Sequence, residues 1–198
     1  MEQRILGAVF CLGLERPGAT VRALAGRLDT DTDYVREKLL DLANSGYVRL
    51  ERGRAFLTPK GRKAIRVVFI GGGFEVIHRG HLYTIEKAKR LGDVLVVSVA
   101  RDSTIRKRKK REPVANERER VWLLSSLRQV DEAMLGVEGD IYETLEKVKP
   151  DVVALGYDQY HLESEVAREA AKRGMRLKVV RLDSPYPKVK TSALLKEF

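Results

Sequence analysis

At 198 residues the chain has room for one or two domains, and 43% hydrophobic residues are enough to fill a buried core. A formal net charge of +10 and an isoelectric point near 9.8 favour an anionic partner, either a nucleotide or a nucleic acid. The single cysteine, Cys11, excludes an internal disulfide. No signal peptide is visible and no apolar stretch approaches the roughly 20 residues of a membrane helix, so we expect a cytoplasmic protein without membrane contact.

Residues 1–65 are predicted to form a separate small domain. Apolar residues at helical spacing indicate a first helix that stops at Pro17-Gly18. Thr20 is suited to cap a second helix over residues 21–28, and Asp31 or Thr32 to cap a third. The apolar face of the third helix is predicted to consist of Val35, Leu39, Leu40 and Leu42.

A β-hairpin is predicted next, because residues 47–51 and 54–57 flank a turn at Arg52-Gly53. Thr58-Pro59 then begins a last short helix. Three helices and a hairpin resemble the winged helix-turn-helix of bacterial and archaeal regulators, in which the third helix enters the major groove of DNA and the wing contacts its backbone. The candidates for DNA contact are Tyr34, Arg36, Lys38, Arg52 and Arg54.

The charge of this domain leaves two interpretations open. Residues 1–65 contain twelve Lys and Arg against eight Asp and Glu, a net charge of only +4. Asp29, Asp31 and Asp33 lie where the third helix begins, which suits a helix start but opposes contact with phosphates. The domain therefore either binds DNA or serves dimerisation or domain packing.

The segment from Arg66 to Leu91 carries the strongest chemical pattern. An apolar run at residues 67–70 predicts a buried strand, three glycines follow, and His78-Arg79-Gly80-His81 leads into a helical pattern. A strand, a glycine turn and a helix start form a phosphate site, because free backbone N–H groups and the helix dipole face the turn.

Three familiar alternatives fit this segment less well. A dinucleotide-binding G-x-G-x-x-G would need glycine at Val76, and no Gly-Lys-Ser/Thr closes the turn as in a P-loop. Zinc would need Cys11 and His161 to complete a site with His78 and His81. We therefore predict no metal site built from protein side chains.

Residues 72–81 resemble the G-T-F-D-x-x-H-x-G-H motif of the cytidylyltransferase-like nucleotidyltransferases, and within them archaeal FAD synthases and glycerol-3-phosphate cytidylyltransferases. The likeness continues through residues 100–104, 130–133 and 155–159 and covers residues 66–198. It implies that His78 and His81 donate hydrogen bonds to phosphate oxygens in the transition state. It further implies that nucleotide contacts come from Gly72, Gly73, Phe74, Glu75, Arg79 and Gly80.

Strands alternating with helices after residue 91 predict an α/β fold with a five-stranded parallel, doubly wound sheet in a domain spanning residues 66–198. Further strands are expected at residues 93–99, 133–135, 152–155 and 177–180, with helices at 118–127 and 141–148. Ligands bind at the carboxyl ends of such strands. Trp122 is predicted to lie in the core.

Six consecutive basic residues, Arg106 to Arg111, are expected either to form a solvated, mobile segment or to close over a triphosphate. The resemblance places Arg108 and Lys110 nearest to the family's phosphate-binding lysines, although their register is open. It also implies that Arg120 faces the nucleotide phosphates, and the alternative for Arg120 is a surface salt bridge with Glu117.

The remaining site candidates follow the fourth strand and the last one. The resemblance implies that Gly156, Tyr157 and Asp158 hold the base and ribose, and the alternative for Asp158 is a helix cap. Tyr186 is a candidate for the base pocket. Thr191 and Ser192, which are suited to cap a final helix, are candidates for the phosphates.

Three positions depart from the family pattern. Gly73 stands where threonine is usual, and Glu75 replaces aspartate. The tail lacks an arginine and a glycine before the hydroxyl pair, which leaves Lys188 and Lys190 as substitutes.

The resemblance favours the reaction of FMN with ATP to give FAD and pyrophosphate, with Mg²⁺ bridging the nucleotide oxygens. CTP with a polyol phosphate is the alternative enzyme reaction. A DNA-binding regulator whose second domain senses a nucleotide or flavin is the alternative from a different class. We also expect a homodimer.

Overall fold

The computed structural model describes residues 2–138, 140–189 and 191. The chain divides into two compact units, Met1–Arg66 and Val67–Phe198. In the part of the chain that is described, no helix is both long and apolar enough to cross a membrane.

The first unit combines four helices with a small antiparallel sheet. Thr20, Asp31 and Thr58 cap their helices as predicted, each accepting hydrogen bonds from backbone N–H groups of the first turn. The hairpin forms around Arg52-Gly53, and an unpredicted strand of two residues adds to it, giving the strand order β1-β3-β2. The elements are α1 (Glu2–Glu15), β1 (Ala19–Thr20), α2 (Val21–Leu28), α3 (Thr32–Asn44), β2 (Val48–Glu51), β3 (Arg54–Leu57) and α4 (Pro59–Lys63).

The surface of α3 differs from that of a strongly basic recognition helix. Arg36 pairs with Asp33, and Lys38 lies 3.0 Å from Glu37 and 3.1 Å from Asp41, so both cations are balanced by carboxylates of the same helix. The apolar face was predicted one residue too wide, because Leu40 is 52% exposed. Assignment of this unit as a winged helix that binds DNA stays a prediction.

The second unit confirms the predicted α/β fold with a five-stranded parallel sheet. Its strand order is β6-β5-β4-β7-β8. Strands β5 and β6 are added on one side of β4, and β7 and β8 on the other, so the order of strands reverses between β4 and β7. Such a reversal opens a crevice at the carboxyl ends of the strands. The elements are β4 (Val67–Gly72), α5 (Arg79–Lys89), β5 (Val94–Val99), α6 (Asp102–Lys109), α7 (Glu117–Ser125), β6 (Glu132–Leu135), α8 (Ile141–Val148), β7 (Val152–Leu155), α9 (Glu163–Lys172) and β8 (Lys178–Arg181).

Burial on both faces of the sheet explains the long apolar runs in the sequences of β4 and β5. All six residues of β5 are buried, as are the first four residues of β4, because helices cover both faces of the sheet. The carboxyl end of β4 runs into the glycine turn and then into α5. The fold thereby places the predicted catalytic motif at the centre of the crevice.

One prediction about this unit was wrong, and another was incomplete. Trp122 is 70% exposed, because α7 turns Val121 and Leu124 toward the core and leaves the indole on the outer face. The basic run, predicted as a solvated segment or one that closes over a triphosphate, is exposed, and Arg106 to Lys109 in it belong to α6, whose C-cap Lys110 has a positive φ of 54°.

Candidate active site

The two motif histidines stack on each other at the start of α5. Their ring centroids lie 3.9 Å apart, and the ring of Phe74 lies 5.2 Å from that of His81. A tight turn sets this arrangement: Phe74 has a φ of 49°, and a Cβ added to Gly72 would lie 2.9 Å from the Phe74 ring. Glycine at position 72 therefore allows the phenyl ring to fold back beneath the histidines.

Both imidazoles are held in the neutral form. Burial lowers the pKa of His81 to about 4, and the neighbouring His78 adds to that effect. Burial also lowers the pKa of His78, against the opposing influence of Asp158. Among the described residues, the buried Nδ1 atoms of both histidines have no hydrogen-bond partner. Buried ring nitrogens are normally paired, so these two atoms fit a ligand with polar oxygens.

Glu75 lies completely buried between this turn and the basic segment. Its carboxylate accepts hydrogen bonds from Lys109 and Arg111, the latter at 2.7 Å. Burial alone would raise the pKa of Glu75, but the two cations outweigh it and hold the pKa below its usual value. The structure therefore brings Lys109 and Arg111 to the glycine turn, whereas the predicted Lys110 is the C-cap of α6.

Arg120 is 1% exposed and reaches the glycine turn from the side of α7. Its guanidinium donates to the carbonyl of Gly73 and to the carboxylate of Asp102, each at 2.6 Å, and to the carbonyl of Ala115 at 3.0 Å. The alternative of a surface salt bridge with Glu117 was wrong. A direct contact of Arg120 with phosphate stays a prediction, and these hydrogen bonds fix the turn on which the motif lies.

The loop after β7 carries Gly156, Tyr157 and Asp158 to the same edge of the sheet. The Tyr157 hydroxyl donates to the carbonyl of Pro187 at 2.9 Å, and the charge of Asp158 acts on the ring of His78. Asp158 is not the cap of α9, since that position belongs to Leu162. This loop therefore lies beside the histidines.

The tail after β8 returns to the start of α5. The guanidinium of Arg79 lies 4.8 Å from the ring centroid of Tyr186, and the Val189 carbonyl would lie 3.5 Å from a Cβ added to Gly80. Thr191 is helical. The predictions for Lys190, for Ser192 and for the rest of the final helix fall outside the described residues.

A cavity of about 230 Å³ opens at the carboxyl ends of the central strands. Three of the predicted site residues line it: Gly72, Gly73 and Arg108. Its lining is mostly apolar and includes the aromatic pair Tyr160 and His161, whose ring centroids lie 4.0 Å apart. Arg108 lies over the Tyr160 ring at 4.4 Å and donates to the Tyr160 hydroxyl. The apolar lining residues are Phe69, Ile105, Val137, Ile141, Val153 and Leu155.

Several residues at the site were missed from the sequence. Lys109 could have been found by treating residues 102–109 as a helix, because it follows the buried Ile105 by four positions and so shares its face. Gln159, Tyr160 and His161 lie in a loop with no periodic pattern. Only the tertiary structure brings that loop to the glycine turn.

The residues present do not form a metal cage of their own. In the described ranges, no group of three or more His, Cys, Asp or Glu side chains could hold a metal ion. A divalent ion that arrives with a nucleotide would keep its ligands on the phosphates and water, as Mg²⁺ commonly does.

Comparison with known proteins identifies the family of this chain. The sequence model of the cytidylyltransferase-like family matches residues 69–197. The FAD synthase of Methanothermus fervidus is 53% identical over 114 residues, which are 56% of this chain and 78% of that protein. The FAD synthase of Aciduliprofundum boonei is 48% identical over 115 residues, which are 58% of this chain and 76% of that protein.

A solved structure agrees with this placement. The crystal structure of the lipopolysaccharide core biosynthesis protein from Thermoplasma volcanium is 42% identical and superposes with a TM-score of 0.59. The match covers 61% of this chain and 98% of that one. This chain therefore belongs to the cytidylyltransferase-like family and is a nucleotidyltransferase.

Proposed function

We propose that this enzyme transfers the AMP group of ATP to FMN, giving FAD and pyrophosphate. The observation that carries the proposal is the pair of stacked, neutral histidines at a helix start beside a glycine turn, whose Nδ1 atoms have no hydrogen-bond partner in the described part of the chain. The identity of 53% and 48% to proteins named FAD synthase supports the choice of FMN and ATP.

In this reaction an oxygen of the FMN phosphate attacks the α-phosphorus of ATP. The bond between that phosphorus and the oxygen bridging to the β-phosphorus breaks, and pyrophosphate leaves with the electron pair. Such transfers depend mainly on positioning and on electrostatic stabilisation of the crowded phosphorus. His78 and His81 supply hydrogen-bonding ring nitrogens at that centre, and the first N–H groups of α5 face the phosphates.

Positive charge for the departing pyrophosphate comes from α6 and the residues after it. Lys109 and Arg111 already converge on Glu75 next to the glycine turn, so we assign them the role predicted for Lys110. Arg79 and Thr191 are assigned to the phosphates, and a Mg²⁺ ion bound with the nucleotide would offset part of the phosphates' negative charge.

The cavity favours a planar acceptor over a small polyol phosphate. Most of its polar side chains are committed within the protein: Thr144 accepts from the Val137 N–H, and Arg101 donates to the Gly136 carbonyl and to Glu117. A polyol bound there would leave hydroxyl groups without partners, which weakens binding. A flat ring system can instead lie on the apolar lining and against the Tyr160–His161 pair.

The test is pyrophosphate release with Mg²⁺ in a two-by-two design. ATP and CTP are each paired with FMN and with glycerol 3-phosphate, and products are separated by chromatography. We expect FAD and pyrophosphate to form only in the reaction that contains ATP and FMN. Release with CTP and glycerol 3-phosphate would replace the proposal with the cytidylyltransferase alternative, and silence of all four pairs would refute both.

DNA binding by the first unit is a separate proposal, and the ion pairs on α3 weigh against that helix as the contact surface. A gel shift with genomic fragments at low and at physiological salt tests it, because phosphate contacts weaken steeply with salt. No shift at low salt would leave the unit a role in packing or dimerisation. Sedimentation velocity tests the homodimer proposal.

A further inference from the structure

Arg181 holds the loop after β7 with every N–H group of its guanidinium. The residue ends β8, and its guanidinium donates to the carbonyls of Gly156 and Gln159, each at 3.0 Å, and to the carbonyl of His161. Its Nε and one Nη donate to the two carboxylate oxygens of Glu163, at 2.8 and 2.9 Å. A guanidinium carries five N–H donors, and all five are used here.

Gln159 ties the same loop to the glycine turn. Its side-chain amide nitrogen donates to the Gly71 carbonyl at 2.6 Å, and its amide oxygen accepts from the Gly156 N–H at 3.2 Å. Gly71 precedes the turn on which the motif lies. A continuous set of hydrogen bonds therefore runs from the edge strand β8, through the loop, to the centre of the crevice.

The loop held in this way carries groups on two sides of the site. Tyr157 and Asp158 lie toward the histidines and the tail, whereas Tyr160 and His161 line the cavity. A displaced loop would misplace both groups together. Because transfer in line needs both substrates in register, a small displacement is costly for the reaction.

We propose that Arg181 and Gln159 are positioning residues for nucleotidyl transfer, with Arg181 fixing the loop 156–161 and Gln159 fixing that loop to the glycine turn. The role of the loop in transfer rests on the proposed function, whereas the hydrogen bonds themselves do not. Arginine is required because its planar fork reaches three carbonyls and a carboxylate at once. Lysine has a single ammonium with three donors and cannot span the same set.

The test compares Arg181→Lys and Gln159→Leu with Lys89→Met as the matched control. Lys89 also joins a carboxylate and a backbone carbonyl, those of Asp131 and Asp93, but at the amino end of the strands. For each loop variant we expect kcat/KM to fall by about tenfold or more, the scale of losing a hydrogen bond to a well-placed group. For Lys89→Met we expect lower stability and kcat/KM within about twofold of the wild type.

Two further measurements separate positioning from general weakening. Amide hydrogen exchange at residues 157–161 should quicken in Arg181→Lys and stay unchanged in Lys89→Met. The double variant Arg181→Lys/Gln159→Leu should lose less kcat/KM than the product of the single losses, because both residues act through one loop. Free guanidinium should partly restore kcat/KM to Arg181→Ala and leave Lys89→Met unchanged.

The proposal is overturned if Arg181→Lys keeps wild-type kcat/KM, or if kcat/KM in all variants simply follows their stability. Wild-type protein that releases no pyrophosphate would instead refute the proposed function. In that case the positioning role of Arg181 is tested by amide hydrogen exchange in the loop and by nucleotide affinity from calorimetry. The positioning role is supported if Arg181→Lys, but not Lys89→Met, shows quicker exchange in the loop and weaker nucleotide binding. It is overturned if Arg181→Lys changes neither the exchange nor the affinity.

Discussion

The partly buried histidine pair predicts a measurable loss of stability in mild acid. Burial moves the pKa of His81 from 6.5 to about 4 in the folded protein. Below pH 6.5 the unfolded chain therefore takes up a proton that the folded protein refuses, so the folded state loses stability as the pH falls. Between pH 7.5 and pH 5 this single group lowers the free energy of unfolding by at most about 2 kcal/mol.

The assay is urea unfolding at pH 7.5 and pH 5.0 for wild type and His81→Gln. Trp122 is the only tryptophan and lies in the second unit, so its fluorescence follows the unit that contains His81. Glutamine does not titrate, so the wild type should lose up to about 2 kcal/mol more than the variant on acidification. Equal losses in the two proteins, or a His81 pKa near 6.5 by NMR titration, would refute the assignment of a buried neutral ring.

Three shorter predictions follow from the same site. His81→Ala should lower kcat by roughly 10²–10³-fold in the pyrophosphate assay, the scale of removing one pre-placed donor, and near-wild-type kcat would remove the histidine from the mechanism. Glu75→Gln should destabilise the second unit by about 2 kcal/mol in urea unfolding, because Lys109 and Arg111 lose a charged acceptor, and an unchanged midpoint would contradict that pairing. Trp122→Ala should change the free energy of unfolding by less than about 0.5 kcal/mol, measured by circular dichroism because the variant has no tryptophan, and a larger loss would indicate that a second copy covers the indole.

Much of the fold could be predicted because its causes are local. The five apolar residues of β5 and the capping side chains Thr20, Asp31 and Thr58 each act within a few positions of the chain. The strand β1 was missed because its two residues pair with Ala55 and Arg54, more than thirty positions away. Trp122 was misplaced because α7 is too short for its periodicity to decide which side faces the core.

The basic run shows the same limit at the site. Its like charges predicted a solvated segment, and its residues are exposed, but the pattern did not show that Arg106 pairs with Glu112, or Lys109 with Glu75, which lies 34 positions earlier. A distant carboxylate makes a helix of adjacent cations stable, and no local pattern reports such a partner. The contact between Gln159 and Gly71 spans 88 positions and was equally invisible. The motif identified the histidines, whereas the residues that hold the motif in place come from elsewhere in the chain.

Glu75 connects the charge of this site with its chemistry. Because burial and mutual contact keep His78 and His81 neutral, the attraction of the site for anions must come from the cations of α6 and from the start of α5. Glu75 balances two of those cations, Lys109 and Arg111, and in the proposed reaction phosphate groups would be further acceptors for them. Binding of a nucleotide should therefore weaken with added salt but hardly change between pH 7 and pH 8.5, because the pKa values of His78 and His81 are lowered from 6.5 and both rings are already neutral at pH 7. In the proposed reaction, the hydrogen bonds at the reacting phosphorus and the charge that attracts the nucleotide are thus supplied by different residues.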